Sequence, residues 1–422
     1  MIDLTKNIPI ITHRLSNKLD LTIVPIRKSP IISINLTYFV GSYNEYKGIR
    51  GFAHLFEHLM FEGTKNVLKG EFDKICTLAG GSNNAYTTHN KTTYLMVLPS
   101  NQLELALWLD SDRMYNSEIT EHALKNQKSV VIEEISQNVE NRTYGTFRKY
   151  LAELAYKVDT PYSWDVYGDI DDINNSTLEL ARKFFDTYYK PSNASLVICG
   201  DCEPQSTIDL VEKYFGEKSE SALPHSNGKN NVSVQKGHQF ISPDEVPLDA
   251  VFIAFHLPDY MNADNDTADF ISQILAGGRS SLLHDSLVRG KQVASSAGVF
   301  TDRRQYSSLL VFYAIASDTS VTAEILATEL RNEIELLTKR TDLVYLVEKT
   351  KNRMLTAIAN EIQYTQGLAD TIGNFRTFYG DSKKFYDVIE MMTTCSPDTI
   401  IEFCDKYLDF DSSIRIDYQS KG

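Results

Sequence analysis

Apolar and polar side chains alternate along residues 31–40, a period of two that predicts a strand with one buried face. Residues 21–26, before a turn at 27–30, predict a further strand. Residues 82–88 and 92–98 predict a hairpin whose polar first arm is typical of an exposed edge strand. This part of the chain is therefore expected to form an antiparallel sheet with one polar edge.

Longer segments have the three- and four-residue apolar spacing of helices. In the first half they lie at 51–60, 69–78, 101–114, 121–139, 143–157, 178–189 and 206–215, with a buried-type strand at 194–199. After residue 236 the order of elements begins again. Strands are predicted at 250–256, 293–301, 309–316 and 413–418, and helical segments at 267–276, 281–288, 321–337 and 343–379.

Residues 217–236 interrupt this pattern, because Ser, Asn, Lys, Gly and Pro dominate them. A chain of 422 residues also exceeds what one hydrophobic core usually serves. We predict an N-terminal domain at 1–216, a linker at 217–236 and a homologous C-terminal domain at 237–422. The fold class is α+β, with two similar domains that each pack a mostly antiparallel sheet with helices. The duplication is inferred from element order only.

Composition and net charge restrict the classes of partner and the cellular location that we expect. The formal net charge of −14 argues against nucleic acid as the main partner. No apolar run is long enough for a membrane span, and residues 1–9 have no signal-peptide pattern, so the expected location is the cytoplasm. Five cysteines form an odd set, and we interpret the C-x-x-C of Cys199 and Cys202 as ordinary thiols of a reducing compartment.

The candidate chemistry lies in the segment 51–60. His54 and His58 are four residues apart and share one face of the predicted helix, with Glu57 between them in the order H-x-x-E-H. Two such histidines alone can be a satisfied core pair. In an apolar helix, however, ionisable groups are costly unless they are paired or bound to metal.

A catalytic zinc site needs three protein ligands and an open position for water. The predicted helix 121–139 offers Glu133 and Glu134. Because neighbouring helical residues point about 100° apart, only one of these two acids is expected to face a metal.

Together these motifs resemble the M16 metallopeptidases, the inverzincin group of pitrilysin, insulin-degrading enzyme and mitochondrial processing peptidase. The resemblance extends over nearly the whole chain and is closest to the shorter, two-domain bacterial and organellar branch. It implies a duplicated M16/LuxS-like metallohydrolase fold. The stretches that carry it are the H-x-x-E-H segment, the V-x-x-E-E-I type helix about 75 residues later, G-S-Y-N-E at 41–45, N-A-Y-T at 84–87, Y-Y-K-P-S-N-A at 188–194 and G-G-R-S-S-L at 277–282.

The resemblance also implies roles for single residues. One Zn2+ per chain would be held by His54, His58 and Glu134, with Glu57 as general base. Glu133 is then interpreted as a solvent-facing acid.

Three more positions follow from the family pattern. Seven residues before Glu134, where relatives commonly have glutamate, this chain has Gln127, which can orient a ligand or water but adds no charge. Asn84 and Ala85 match positions where an edge strand pairs with the substrate backbone.

Relatives usually supply an arginine and a tyrosine from the second domain or from a partner. This chain has Ser295 and Ser296 where the tyrosine is expected and Leu282 where many relatives have arginine, while Arg289 is interpreted as a surface residue. We therefore predict a metal-bearing subunit of a dimer, with a homologous chain supplying the Arg/Tyr pair. The second domain is expected to bind no metal.

Two other hypotheses remain. The chain could be a non-catalytic scaffold subunit of the same fold, although such subunits lose ligands that are present here. Two histidines and one carboxylate also match a non-haem iron oxygenase, in which Glu57 would have no role. The expected substrates are short or unfolded polypeptides.

Overall fold

The structure is a computed structural model that describes residues 8–216 and 232–421. Its first six strands form one sheet: β1 (Ile11–Arg14), β2 (Asp20–Pro25), β3 (Ile31–Tyr38), β4 (Ser82–Thr87), β5 (Thr92–Pro99) and β6 (Ala194–Gly200). The strand order is β1-β2-β6-β3-β5-β4. β2 and β6 run parallel and every other neighbouring pair is antiparallel. β4 lies at the edge, as its polar sequence predicted.

The helices of the first half precede and follow these strands. They are α1 (Phe52–Leu59), α2 (Glu71–Leu78), α3 (Leu103–Asn116), α4 (Glu121–Ile135), α5 (Phe147–Ala155), α6 (Ile170–Asn175), α7 (Leu178–Tyr188) and α8 (Pro204–Phe215). α1 packs against β4, β5, α4 and α7. Its apolar residues Phe52, Leu55 and Phe56 are fully buried and anchor α1 in the core. The ionisable side chains of α1 lie on its other face.

A second sheet is formed by β7 (His238–Ile241), β8 (Ala250–Leu257), β9 (Ala294–Asp302), β10 (Ser308–Ala316) and β11 (Ile414–Tyr418). The remaining helices along the chain are α9 (Asp264–Ala276), α10 (Ala323–Leu337), α11 (Leu343–Glu361), α12 (Thr365–Tyr379), α13 (Val388–Thr393) and α14 (Pro397–Tyr407). Of these, α12 packs on the first sheet.

Five strands of the first sheet, all except β1, have the same topology as the five strands of the second sheet. The order β7-β11-β8-β10-β9 repeats β2-β6-β3-β5-β4, and the one parallel pair, β7 with β11, stands where β2 pairs with β6. The predicted α+β fold of two similar sheet-and-helix layers is therefore confirmed. In the second sheet Phe255 and Phe312 are fully buried against Phe270 of α9 and Leu326 of α10 in one apolar core.

The compact units are not consecutive halves of the sequence. One unit comprises residues 8–135, 164–216 and 358–388, and the other comprises 136–163, 232–357 and 389–421. The boundaries predicted at 216 and 237 therefore describe the order of elements and not these units. Of the predicted linker, residues 217–231 lie outside the described residues. Residues 233–235 are bound to the chain after α5, where Lys157 N donates to Ser233 O and Gln235 N to Ala155 O, both at 2.8 Å.

The alternation in β3 was misleading, because both of its faces are buried. α12 packs on β3 and β6 and covers the polar face of the sheet. Ser33 Oγ lies 2.7 Å from Thr365 Oγ1 of α12, and Thr22 Oγ1 lies 2.8 Å from Ser382 Oγ just beyond this helix. The polar residues of this sheet face predict exposure to solvent, but α12 buries the face and its hydroxyl groups are hydrogen-bonded to hydroxyl groups of the covering segment.

Two predicted helices differ from the α-helical pattern. The helix expected at 121–139 is α-helical to Ile135 and continues as a π-helical turn, Ser136–Glu140, in which Asn141 N donates to Ser136 O. The helix expected at 281–288 is largely a π-helical turn, His284–Gly290. No helix within 8–216 or 232–421 combines the length and the apolar character that crossing a bilayer requires.

Candidate metal centre

The helix that carries the two histidines begins in a tightly constrained turn. Gly51 precedes α1 with φ 92°, and a Cβ there would lie 2.7 Å from the carbonyl oxygen of Tyr167. The buried Glu45 carboxylate accepts hydrogen bonds from Gly51 N and Ala53 N, both at 2.8 Å, and from Trp164 Nε1 at 3.0 Å. Burial raises the pKa of Glu45 to about 8, against these hydrogen bonds, which lower it. The three donors fix the start of α1.

His54 and His58 project from α1 toward Glu134 on α4. Glu134 Oε2 lies 3.7 Å from His54 Nε2 and 3.3 Å from His58 Nε2. One ligand atom of each residue lies within 4.8 Å of the others. Across the described ranges, these three residues are the group of His, Cys, Asp and Glu side chains that could hold a metal ion.

The geometry fits zinc. Tetrahedral N and O ligands at about 2.0–2.1 Å from Zn2+ lie about 3.3 Å from one another, close to the two separations from Glu134 Oε2. Three protein ligands also leave the fourth position that a catalytic site needs. The same donor set suits Fe2+, so donor identity alone does not select the metal.

The protonation states favour metal binding. Burial lowers the pKa of His54 to about 4, although the Glu134 carboxylate opposes this shift. Hydrogen bonding with His58 lowers the pKa of Glu134, against partial burial. At neutral pH this places a neutral imidazole beside an ionised carboxylate, the forms that ligate metal.

Glu57 lies beside these three residues and outside the ligand group. It lines the same cleft as His58, and Thr87 Oγ1 donates a hydrogen bond of 2.6 Å to Glu57 Oε2. Burial raises the pKa of Glu57, and the hydrogen bond from Thr87 partly offsets that rise. A carboxyl group whose pKa is raised toward neutrality is a stronger base than an ordinary surface glutamate.

Two residues of the site were missed by sequence reasoning. Thr87 belongs to the N-A-Y-T stretch, and alternation along β4 places it on the same face as Ala85, so a signal for it existed. Tyr167 had no such signal, because it lies in an irregular segment. Its hydroxyl donates to Glu134 Oε1 at 3.3 Å, and its ring packs edge-on against the His54 ring with centroids 4.9 Å apart.

Comparison with known proteins identifies the family. Residues 24–162 match the family described as Insulinase (Peptidase family M16), and residues 175–353 match the Peptidase M16 inactive domain. The zinc protease PqqE of Helicobacter pylori is 33% identical over 329 residues, which cover 77% of this chain and 74% of that protein. This chain belongs to the M16 peptidase family.

The M16 fold is matched over almost the entire chain. The crystal structure of a protease from Helicobacter pylori aligns with a TM-score of 0.92 and 27% identity, covering 98% of this chain and 100% of that one. A relative of another kind is subunit 1 of the mitochondrial cytochrome b-c1 complex of Bos taurus, 23% identical over 390 residues that cover 90% of this chain and 80% of that protein. M16 members often work as paired subunits or paired halves.

Gln127 stands two turns before Glu134 on α4, but its hydrogen bond goes elsewhere. Its amide nitrogen donates to Glu62 Oε1, an oxygen that also accepts from Lys69 Nζ. Among the described residues Gln127 Oε1 has no hydrogen-bond partner. Its expected role, orienting a ligand or water, stays a prediction. Glu133 is exposed, as expected of an acid that faces away from the candidate metal site.

Asn84 and Ala85 lie on β4, the edge strand of the first sheet. They border a cleft of about 510 Å³ that Glu57 and His58 also line. Asn84 Oδ1 accepts a hydrogen bond from Ala85 N at 2.9 Å. Because this N–H is engaged by a side chain and not by β5, it points outward from the sheet edge.

In the second unit, the four residues considered in the sequence analysis occupy strand, core and surface positions. Ser295 and Ser296 lie on the edge strand β9, and Leu282 packs against the core of that unit. Arg289 is exposed and forms an ion pair of 3.0 Å with Asp285, one helical turn away. Within the described part of this unit, no group of metal-binding side chains occurs.

Proposed function

We propose that this M16 chain is a zinc-dependent endopeptidase that hydrolyses short or unfolded polypeptides. The observation that carries the proposal is the convergence of His54, His58 and Glu134 from two helices, with the Glu57 carboxyl group beside them and not among the ligands. The zinc protease of Helicobacter pylori is the relative that supports this proposal most directly.

The residues divide the chemistry between them. His54, His58 and Glu134 would hold Zn2+, and the ion, when bound, supplies a Lewis acid that polarises a carbonyl and makes water in the site more acidic. Glu57 would accept the proton of that water and return it to the leaving amine. Thr87 holds one carboxylate oxygen of Glu57, leaving the other for the proton transfer.

The sheet edge supports a polypeptide substrate. An extended peptide that pairs with β4 gains main-chain hydrogen bonds largely independent of its sequence. The outward N–H of Ala85 is one donor available for such pairing once Asn84 Oδ1 releases it. A strand docked there would pass the cleft that contains Glu57.

A second candidate is a non-catalytic interaction subunit, and the similarity to subunit 1 of the bovine cytochrome b-c1 complex favours it. Against it, the proposed ligands are not merely present in the sequence. Two donor atoms lie at ligand spacing from Glu134 Oε2, and Glu57 is oriented by a hydrogen bond.

The assembly is part of the proposal. The chain would act as the metal-bearing subunit of a cytoplasmic dimer, with a homologous chain supplying an arginine and a tyrosine to the substrate carbonyl. The serines at 295 and 296 and the paired, exposed Arg289 support a need for such a partner. Full activity of the purified chain alone would contradict this part and leave the zinc peptidase unaffected.

The test combines metal analysis with peptide cleavage. Protein expressed without added metal is expected to contain one zinc per chain and to cleave an unstructured peptide mixture, alone or with its partner. Glu57→Gln should keep the zinc and lose about 10²- to 10⁴-fold in kcat/KM, because only proton transfer is removed. Glu133→Gln is the matched control and should behave as the wild type.

Three outcomes would contradict the proposal. Iron in place of zinc would favour the oxygenase hypothesis. Stoichiometric zinc without cleavage by the chain, alone or with a homologous partner, would favour the scaffold. Unchanged cleavage in Glu57→Gln would remove this residue from the mechanism.

A further inference from the structure

The cleft beside Glu57 belongs wholly to the first compact unit. It is bounded by Glu57 and His58 of α1, by Asp73 and Thr77 of α2, and by residues 81–85 at the start of β4. Its volume of about 510 Å³ is in the range of small-ligand sites. The cleft therefore has room for a large side chain next to the proposed reaction centre.

The geometry of β4 directs a docked peptide toward this cleft. Asn83 bonds to Asp73 on α2 and Thr87 bonds to Glu57 on α1, so these alternate side chains share the cleft face. Tyr86 bonds to Asp370 on the opposite face. A peptide strand added at the β4 edge would likewise place every second side chain over the cleft.

Asp73 makes the α2 side of the cleft acidic. The exposed Asp73 carboxylate accepts a hydrogen bond of 2.9 Å from Asn83 Nδ2, which is neutral. Among the described residues Asp73 has no cationic partner, and no Lys or Arg lines the cleft. An apolar side chain docked here would desolvate Asp73 without replacing its water contacts, and an acidic one would also be repelled.

One wall of the cleft suits the stem of a long cationic side chain. Phe61 lines the cleft, and its ring is held edge-on against the buried Phe72 with centroids 5.6 Å apart. The buried Arg113 guanidinium, which is paired with Asp110, lies over this ring at 5.1 Å from its centroid, and Phe61 remains partly exposed. The methylene groups of Lys or Arg pack on such rings while the charged end reaches a polar partner.

We propose that Asp73 makes this cleft a subsite for a Lys or Arg side chain of the substrate, adjacent to the scissile bond. The inference rests on the proposed peptidase function and adds a substrate class to it: basic polypeptides. Asp73 is then a specificity-determining residue that contacts substrate and takes no part in bond cleavage.

The kinetic test uses paired fluorogenic peptides that differ only in arginine or its neutral isostere citrulline, placed in turn on each side of the scissile bond. On one side the zinc-loaded protein should favour arginine by about fivefold to tenfold in kcat/KM, the size expected of a partly exposed ion pair. The ratio should fall to about one in Asp73→Asn and stay unchanged in the matched surface control Asp186→Asn.

The arginine-to-citrulline ratio separates specificity from a structural role. Asp73 lies in the first turn of α2, where a carboxylate also stabilises the helix. Loss of that contribution would slow both peptides equally and leave their ratio intact. A ratio near one in the wild type, or one that persists in Asp73→Asn, would overturn the proposal.

A binding measurement decides the question even if turnover is absent. In the Glu57→Gln background, fluorescence anisotropy of the same labelled peptides should show tighter binding of the arginine peptide. The preference should weaken at high salt and vanish when Asp73→Asn is added. Absence of cleavage would contradict the peptidase function, whereas equal binding of the two peptides would contradict the subsite.

Discussion

Thr87 Oγ1 donates a hydrogen bond of 2.6 Å to Glu57 Oε2, which links the edge strand of the first sheet to the proposed general base. The strand expected to bind the substrate backbone thus also sets the orientation of the group expected to move the proton. Displacement of β4 would therefore disturb both functions at once.

We expect Thr87→Val to lower kcat by about tenfold while KM and zinc content stay near wild type. The reason is that a hydrogen bond to a charged group contributes about 1.5–3 kcal/mol, and without it Glu57 samples unproductive rotamers. Steady-state kinetics with metal analysis measures both effects. Thr87→Ser keeps the hydroxyl and should recover most of kcat. Zinc loss in Thr87→Val would instead indicate a structural role.

The neighbouring acids of α4 provide a matched pair for metal binding. Glu134→Gln should weaken zinc affinity by at least about 100-fold, because a charged ligand is lost, whereas Glu133→Gln should bind zinc as the wild type does. Competition with a chromophoric chelator gives both dissociation constants. Equal affinities of the two variants would contradict Glu134 as a ligand.

Gln127 donates a hydrogen bond to Glu62, so the glutamate that the family resemblance leads us to expect at position 127 is unfavourable in this chain. Gln127→Glu would place a second carboxylate against Glu62, whose side chain is only 4% exposed. We expect a loss of about 1–2 kcal/mol in the free energy of unfolding from this repulsion.

The double variant Gln127→Glu/Glu62→Gln restores one amide and one carboxylate and should recover that loss. Urea unfolding of the two single variants and the double variant gives the coupling energy. Additive effects of the two substitutions would show that the residues do not interact.

His256 is expected to make stability fall in mild acid. Burial lowers its pKa to about 4 from the ordinary 6.5, helped by the charges of Lys236 and Arg304, although its Nε2 lies 2.8 Å from Gln235 O. The unfolded chain takes up a proton below pH 6.5 while the folded chain does not, so stability declines from about pH 6.5 toward pH 4.

The loss attributable to His256 between pH 7 and pH 5 should be about 2 kcal/mol. Urea unfolding at several pH values measures it as the difference between wild type and His256→Gln, because other titrating groups are common to both proteins. Parallel pH profiles of the two proteins would refute the assignment to His256.

The sequence predicted those features that follow from side-chain type together with helix or strand periodicity. The H-x-x-E-H spacing fixes two donors on one helix face, and the polar character of residues 82–87 identified the edge strand. The repeated element order indicated the duplication, which the matching strand orders confirm. The short strands β1 and β7 were missed, because four residues carry too little periodicity to be distinguished from a loop.

Other features depend on contacts that local sequence does not encode. Nothing near Ser33 indicates that Thr365, more than 300 residues later, will cover it. Tyr167 reaches Glu134 from an irregular segment, so no period predicts its direction. The choice between Glu133 and Glu134 likewise needed the family resemblance, since helical geometry alone left both open.

The return of residues 358–388 to the first sheet limits how the protein can be divided. A fragment truncated before residue 358 would retain every proposed zinc ligand and the base. It would nevertheless lack Thr365 and Ser382, the hydroxyl partners of Ser33 and Thr22, and would expose to water a sheet face that is normally sealed. The proposed metal site is therefore not contained in residues 8–216 alone, because the sheet beneath it depends on residues 358–388 for cover.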